Sequence, residues 1–204
     1  MSDYEKALAD RAERVATMRK KLADVLPEEL IGGFSTNGLT LEIGCGHGHF
    51  LAAYAAAFPQ ETCIGIDLIS KRIERAQHKK ELAKLDNVHF FKADADEFFE
   101  ALPPKIVLGK IFLLFLDPWP KKRHHKNRII REQTLNEWAR RSRAGTMMYF
   151  RTDHEGFYEW SLEAIEAHPN WELCPDAPWP FERETYFQSI LPDAPRDLIA
   201  RFRA

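Results

Sequence analysis

The segment that indicates the fold reads Leu39-Thr40-Leu41-Glu42-Ile43-Gly44-Cys45-Gly46-His47-Gly48. Its first five residues predict a short buried strand, and the apolar residues from about 50 to 58 predict a helix that stops near Pro59. Glycines between a strand and a helix let the backbone and a ligand approach closely at the helix N-terminus. The segment therefore predicts a loop that binds a nucleotide-like ligand, and a purely structural turn is the alternative.

Strand and helix patterns alternate along the rest of the chain, after an amphipathic N-terminal helix over about 3–26. Such alternation is typical of right-handed crossovers between parallel strands. We therefore expect an α/β fold with a doubly wound, mostly parallel sheet of seven strands. The further strands are predicted at 62–66, 88–92, 111–116, 146–151, 171–174 and 198–202, and the further helices at 70–85, 96–102 and 129–143.

Length and composition predict one domain over 1–204, with a helical extension at 1–30. Of the 204 residues, 45% are hydrophobic and 29% charged, which is typical of a globular chain with a full core. No window offers the roughly 18 uninterrupted apolar residues that a membrane span needs, and we expect a cytoplasmic protein. The three cysteines are scattered without metal-ligand spacing, so free thiols are expected.

Acidic residues stand at the ends of successive predicted strands. Asp67 ends the second strand, Asp94 follows the third, and Glu42 lies within the first. Ligands of open α/β sheets bind outside the carboxyl ends of the strands, where Asp67 would accept ribose hydroxyls, Glu42 would hold a cationic group and Asp94 an adenine amino group. S-adenosylmethionine matches this set better than NAD or ATP do, because the carboxylates would repel the phosphate groups of NAD and ATP. The alternative is that Asp67 and Asp94 cap the helices that follow.

A basic run begins where the fourth predicted strand ends, and it reads Asp117-Pro118-Trp119-Pro120-Lys121-Lys122-Arg123-His124-His125-Lys126. Its cations would hold RNA phosphates, a role that we also expect for Arg128. The net charge of -2 argues against a protein that coats nucleic acid indiscriminately. Trp119 is a candidate surface for stacking a base, with packing in the core as an equal alternative. Adjacent histidines are poorly placed to share one metal ion, so we expect no metal.

With these motifs the chain resembles the class I S-adenosylmethionine-dependent methyltransferases and, within them, the bacterial tRNA (guanine-N7)-methyltransferases. The basic run after Asp117 points to the narrower family. The other matching motifs are Leu41-Glu42-Ile43-Gly44-Cys45-Gly46, Gly65-Ile66-Asp67, Asp94-Ala95, Thr152-Asp153 and Thr185-Tyr186-Phe187-Gln188.

The resemblance implies a Rossmann-like fold and methyl transfer from S-adenosylmethionine to N7 of a guanine in tRNA, with Asp117 as the active-site acid. We expect a monomer or a homodimer. The expected cofactor-binding residues are Glu42, Gly44, Gly46, Gly48, Asp67, Asp94, Ala95 and Asp117. The expected substrate-binding residues are Lys121, Lys122, Arg123, Lys126, Asp153, Thr185, Phe187 and Gln188.

Two residues depart from the family pattern. Leu116 stands where the family usually has proline, and Gln188 stands where it usually has glutamate. The change at Gln188 leaves other functions open: a diverged methyltransferase acting on another RNA or on a base amino group, or a non-catalytic protein that binds S-adenosylmethionine and RNA. A dehydrogenase fits least, because His49 stands where the dinucleotide fingerprint needs its third glycine. The late residues around Trp179 and Phe181 would form either a substrate lid or a packed loop.

Overall fold

A sheet of seven strands lies at the centre of the protein, whose computed structural model describes residues 2–183 and 194–204. The strand order is β3-β2-β1-β4-β5-β7-β6, in which the first five strands run parallel and β7 is antiparallel to both β5 and β6. The predicted doubly wound, mostly parallel sheet is confirmed. Its strands are β1 (Leu39–Ile43), β2 (Thr62–Asp67), β3 (Val88–Lys92), β4 (Leu108–Leu114), β5 (Ser142–Thr152), β6 (Trp171–Leu173) and β7 (Arg196–Phe202).

Helices cover both faces of this sheet, so it has two hydrophobic cores. The strands divide their side chains between them: Ile111 and Leu113 of β4 pack in one core, whereas Phe112 and Leu114 pack in the other. Helices α3 and α4 cover the second core, and α1, α5, α6 and α7 cover the first. The helices are α1 (Asp3–Val25), α2 (Glu28–Ile31), α3 (His49–Ala57), α4 (Ser70–Leu82), α5 (Ala95–Ala101), α6 (Glu132–Arg140) and α7 (Glu155–Glu166), with a 3₁₀ helix at Lys122–Asn127.

The N-terminal helix α1 confirms the amphipathic pattern. Ser2 and Glu5 form a reciprocal capping box that satisfies backbone donors at its first turn. Val15, Met18 and Leu22 are buried at helical spacing in the first core, beside α5. The helix is therefore part of the packed structure.

The fourth strand differs from the prediction at both ends. It begins at Leu108 and stops at Leu114, so Asp117 lies three residues beyond it. The cause is Phe115, whose φ of 50° is left-handed and breaks the extended backbone, although its N–H still donates to the carbonyl of Arg151 at 2.8 Å. The carboxylate therefore lies on a loop past the sheet edge.

The helix predicted over 129–143 was too long. It covers only Glu132–Arg140, and β5 begins at Ser142, so Gly145 lies inside that strand and not at a helix end. Gly145 has a φ of 92° and falls where the pairing of β4 with β5 shifts register. Helix α7 was not predicted from the sequence, although its buried Phe157, Ser161 and Ile165 recur at a spacing of four residues.

Candidate active site

The loop between β1 and α3 is fixed by its backbone. Gly44, Gly46 and Gly48 all have left-handed φ angles, of 74°, 53° and 68°. The amides of Gly44 and Cys45 both donate to the carbonyl of Ile66 on β2, at 2.8 and 3.0 Å. A Cβ on Gly48 would lie 2.7 Å from Ala76, whereas one on Gly46 would meet no atom within 4 Å. Gly48 is thus needed for packing, and Gly46 faces open space.

Asp67 joins this glycine loop to the end of β2. Its side chain is only 6% exposed, and its Oδ2 accepts a hydrogen bond from the amide of Gly46 at 3.1 Å. Its Oδ1 accepts from the amide of Ile69 at 2.8 Å, and Arg72 lies 3.4 Å from Oδ2. Helix α4 has no side-chain cap, so the alternative that Asp67 serves as a helix cap is wrong. Asp67 instead holds the glycine loop in place.

Glu42 is a buried acid with one oxygen that has no partner. Its residue is 3% exposed, and its Oε2 makes no hydrogen bond with any described residue. Burial raises the pKa of Glu42 to about 8, a hydrogen bond from the backbone of Leu51 opposes the rise, and the nearby charge of Asp67 adds to it. A carboxyl group in this state is suited to a cationic ligand, since a cation would supply the missing partner.

Asp94 is exposed and caps helix α5. Its Oδ1 accepts from the amides of Asp96 and Glu97, at 2.9 and 3.3 Å, so the capping alternative is confirmed at this position. Ala95 is the first residue of that helix. Both residues follow β3, which places them at the same edge of the sheet as Asp67.

The loop that carries Asp117 has two left-handed residues, Phe115 at φ 50° and Trp119 at φ 46°. Non-glycine residues seldom adopt this conformation, and such residues cluster at active sites and ligand-binding loops. Asp117 is exposed, and its Oδ1 accepts from the amide of Trp119 at 3.3 Å. A Cβ on Gly44 would overlap Cδ2 of Leu116, so the Leu116 side chain covers the start of the glycine loop. The Asp117 loop and the glycine loop are therefore in direct contact.

The basic run divides into exposed and buried cations. Lys121, Lys122, Arg123 and Lys126 are exposed, as RNA contacts would have to be. The expectation that Arg128 holds a phosphate is wrong, because its residue is only 3% exposed. Its guanidinium instead donates to two backbone carbonyls, of Pro118 and Gly156, at 2.9 Å each, and lies 5.3 Å from the ring of Trp160. Arg128 thus fastens the Asp117 loop to the start of α7.

Later arginines are also held within the protein. Arg141 donates to the carbonyls of Pro103 and Phe99, at 2.8 and 3.2 Å, and Arg143 donates to the carbonyl of Ser35 at 3.0 Å. These guanidinium groups therefore bind backbone carbonyls of the protein itself.

Trp119 and Asp153 complete the described part of the predicted site. Trp119 is partly exposed, belongs to neither hydrophobic core of the described residues, and contacts the ring of His124 edge-on at 5.7 Å. Asp153 is exposed directly after β5, the neighbour of β4. The predicted substrate residues Thr185, Phe187 and Gln188 lie outside the described residues.

The described part of the late segment is a packed loop. The ring of Phe181 lies 5.7 Å from that of Tyr54, and Trp179 stacks on the guanidinium of Arg151 at 4.1 Å. Arg151, which was not predicted to have a structural role, is buried in β5. Its guanidinium donates two hydrogen bonds of 2.7 Å to the carboxylate of Asp197. A charged residue at the end of an apolar strand is the signal that identifies it.

The described residues also bear on the predictions for the cysteines, for a metal site and for a membrane span. Cys45, Cys63 and Cys174 are free thiols, as predicted. Across residues 2–183 and 194–204, no three His, Cys, Asp or Glu side chains group closely enough to hold a metal ion. None of the helices described is long and apolar enough to cross a membrane.

Comparison with known proteins identifies the family. A family model described as "Putative methyltransferase" matches residues 36–189. The tRNA (guanine-N(7)-)-methyltransferase of Marinobacter nauticus is 30% identical over 167 residues, which are 82% of this chain and 69% of that protein. The enzyme of that name from Cutibacterium acnes is 37% identical over 66% of this chain and 49% of its own length. The chain thus spans about half the length of that relative.

Solved structures with the same fold are also methyltransferases. The aminoglycoside resistance methyltransferase NpmB1 superposes with a TM-score of 0.60 at 18% identity, covering 91% of this chain and 93% of that one. An rRNA methylase from Streptococcus thermophilus gives 0.57 at 9% identity, over 91% and 94%. At such identities these likenesses show the fold alone. The family model and the sequence matches, in contrast, show that the chain belongs to the tRNA (guanine-N(7)-)-methyltransferase family.

Proposed function

We propose that this protein transfers a methyl group from S-adenosylmethionine to N7 of a guanine in tRNA. The observation that carries the proposal is the contact of Leu116 with the glycine loop, because it brings the Asp117 loop beside the candidate cofactor site. The exposed cations of the basic run continue directly from that loop. The candidate cofactor site, the acid Asp117 and the exposed cations of the basic run therefore lie in one neighbourhood.

The residues around the glycine loop suit S-adenosylmethionine. Glu42 offers a buried oxygen without a partner to a cationic group, and a phosphate there would meet repulsion from the charge of Asp67. Asp67 would accept ribose hydroxyls, and Asp94 with Ala95 would border the adenine. The open space above Gly46 leaves room for the ligand. When bound, S-adenosylmethionine supplies an electrophilic methyl group on a positively charged sulfur.

The chemistry at guanine N7 needs alignment and charge stabilisation, with no general base. Glu42, Asp67 and the glycine loop would hold S-adenosylmethionine so that its methyl group passes to the N7 lone pair, and the electron pair of the methyl–sulfur bond would stay on sulfur. Positive charge moves to the purine and no proton is transferred. Asp117 would orient the base by accepting its N–H donors and would stabilise the developing charge, with Asp153 as a second acceptor.

The exposed cations would hold the RNA. Lys121, Lys122, Arg123 and Lys126 are exposed and would contact phosphates, and the partly exposed Trp119 would stack on the exposed base. Thr185, Phe187 and Gln188 are proposed as substrate contacts from the family resemblance alone. We propose that the enzyme works in the cytoplasm, where tRNA is present, as a monomer or a homodimer.

The test is transfer of a labelled methyl group from S-adenosylmethionine to tRNA that lacks 7-methylguanosine, followed by digestion to nucleosides. The proposal predicts label in 7-methylguanosine. Label in an amino-methylated nucleoside would identify a methyltransferase of another specificity. Binding of S-adenosylmethionine without transfer would identify a non-catalytic protein, and either result would overturn the proposal.

A further inference from the structure

A groove of about 410 Å³ lies between α3 and α4. None of its lining residues belongs to the loop over 115–128 after β4, which carries Asp117 and the basic run and is called the basic loop. Its apolar lining includes Ala52 and Ala56 of α3 and Leu82 of α4, and its polar rim consists of His49, Lys79 and Arg183. Leu82 is 71% exposed, so the apolar surface is open to a partner. Helix α3 starts directly after Gly48, which places the rim residue His49 beside the glycine loop.

The rim continues as a stripe of cations along α4. Arg72, Arg75 and Lys79 are spaced by three and four residues, so they lie on one side of the helix over about 10 Å. Glu74 and Glu81 lie roughly 200° and 180° around the helix from Arg72, on its other side. The stripe is therefore separated from the acids of its own helix.

The charge of this stripe is largely uncompensated among the described residues. Arg72 pairs with Asp67 at 3.4 Å, but the nearest partner of Arg75 is the His47 ring at 3.3 Å, which carries no negative charge. Burial and then Arg75 lower the pKa of Lys79, which indicates that its charged neighbour is another cation. The pKa of His49 is also lowered, mainly by burial and then by the charges of Lys79, His47 and Arg183. A region in which cations repel one another would gain from a bound polyanion.

We propose that this groove and its cationic stripe bind the sugar–phosphate backbone of the tRNA substrate, an inference that rests on the proposed function. A row of cations over about 10 Å fits successive phosphates better than one small anion, and the apolar floor can contact ribose carbons. Arg183 also stands two residues before Thr185, where the proposed substrate segment begins. The tRNA would thus contact both the basic loop and the α3–α4 face.

The experiment compares the double variant Lys79→Ala/Arg183→Ala with a control, Lys20→Ala/Lys21→Ala, that removes the same charge from exposed positions on α1. The affinity for unmodified tRNA is measured by fluorescence anisotropy at several salt concentrations. The groove variant should bind about tenfold more weakly, and the slope of log K against log salt should become shallower by about 1.5, as for two lost phosphate contacts. S-adenosylmethionine binding and kcat at saturating tRNA should be unchanged.

Equal tRNA affinities and salt slopes for the groove variant and the control would overturn the inference. The proposed function would stand in that case as long as the wild-type protein forms 7-methylguanosine. If the wild-type protein neither binds nor methylates tRNA, both fail together. Thermal unfolding of each variant, with the wild-type Tm as reference, separates lost binding from lost folding.

Discussion

The glycine loop after β1 and the basic loop after β4 touch each other, yet different bonds hold them. Backbone amides hold the glycine loop, through bonds to the carbonyl of Ile66 and to Asp67. The basic loop depends on a long side chain, since Arg128 reaches ten residues back to Pro118 and 28 residues ahead to Gly156. Residue types and spacing therefore indicate the first loop directly, whereas a count of cations in the second does not tell which of them face solvent.

The largest expected effect separates the roles of the two loops. We expect Asp117→Ala to lower kcat by about a hundredfold or more, because it removes the acceptor that orients the base and stabilises its charge. Binding of S-adenosylmethionine, which depends mainly on the glycine loop although Asp117 also borders the site, should fall much less than kcat in calorimetric titration. Normal turnover by the variant would contradict the assignment of Asp117.

Arg128, which anchors the basic loop, gives the next largest expected effect, on stability. Arg128→Met should lower the free energy of unfolding by about 2–4 kcal/mol, because two partly buried backbone carbonyls lose the donor that the buried Arg128 supplies. Lys126→Met, at an exposed position of the same run, is the matched control and should leave stability within about 0.5 kcal/mol of wild type. Urea unfolding measures both variants. Equal stabilities would show that Arg128 does not hold the loop.

Gly46 and Gly48 of the glycine loop give a smaller difference in stability. Gly48→Ala should lower stability by about 1–3 kcal/mol, because its Cβ would collide with Ala76 and Phe90 at a left-handed φ. Gly46→Ala has the same φ penalty without the collision, so it should lose less stability. Its Cβ would enter the open space, so the affinity for S-adenosylmethionine should fall instead. The reverse order of stabilities would refute this account of the loop.

The smallest expected effect is a pH dependence at Glu42. Burial raises its pKa to about 8, so the carboxyl is mostly protonated at neutral pH in the free protein, whereas a cationic ligand favours the ionised form. Binding should therefore release a proton. The affinity for S-adenosylmethionine should rise as the pH increases to about 8, by at most about tenfold for each pH unit. Glu42→Gln should flatten this dependence, and a wild-type affinity that does not change with pH would refute the role.

The same carboxyl affects the stability of the free protein. The pKa of Glu42 is higher in the folded protein than in the unfolded chain, where it is near 4.5. The stabilisation that this carboxyl gives to the folded protein is therefore complete below about pH 4.5 and is lost as the pH rises towards about 8. The free energy of unfolding should decline over that window in the wild type and decline less in Glu42→Gln. Urea unfolding at a series of pH values measures both proteins.

The sequence predicted most of the fold because the strand cores are apolar runs. The pattern predicted β1 and β3 at their observed bounds, and it could not predict where β4 ends, because that depends on the left-handed φ of Phe115. Gly145 looked like a helix end, but it serves a register shift between strands that pair through distant residues. Asp94 proved to be a helix cap, although the pattern alone allowed either role. Tertiary context decided the case of Gly145, whereas the cap at Asp94 is a local contact with two residues in the first turn of α5.

The most direct test of the central claim uses tRNA in which guanosine is replaced by 7-deazaguanosine, compared with ordinary unmodified tRNA. The analogue keeps the Watson–Crick edge and the phosphates but has carbon in place of N7. We expect both RNAs to bind with similar affinity and only ordinary tRNA to receive the labelled methyl group. Equal methylation of the two RNAs would contradict transfer to guanine N7.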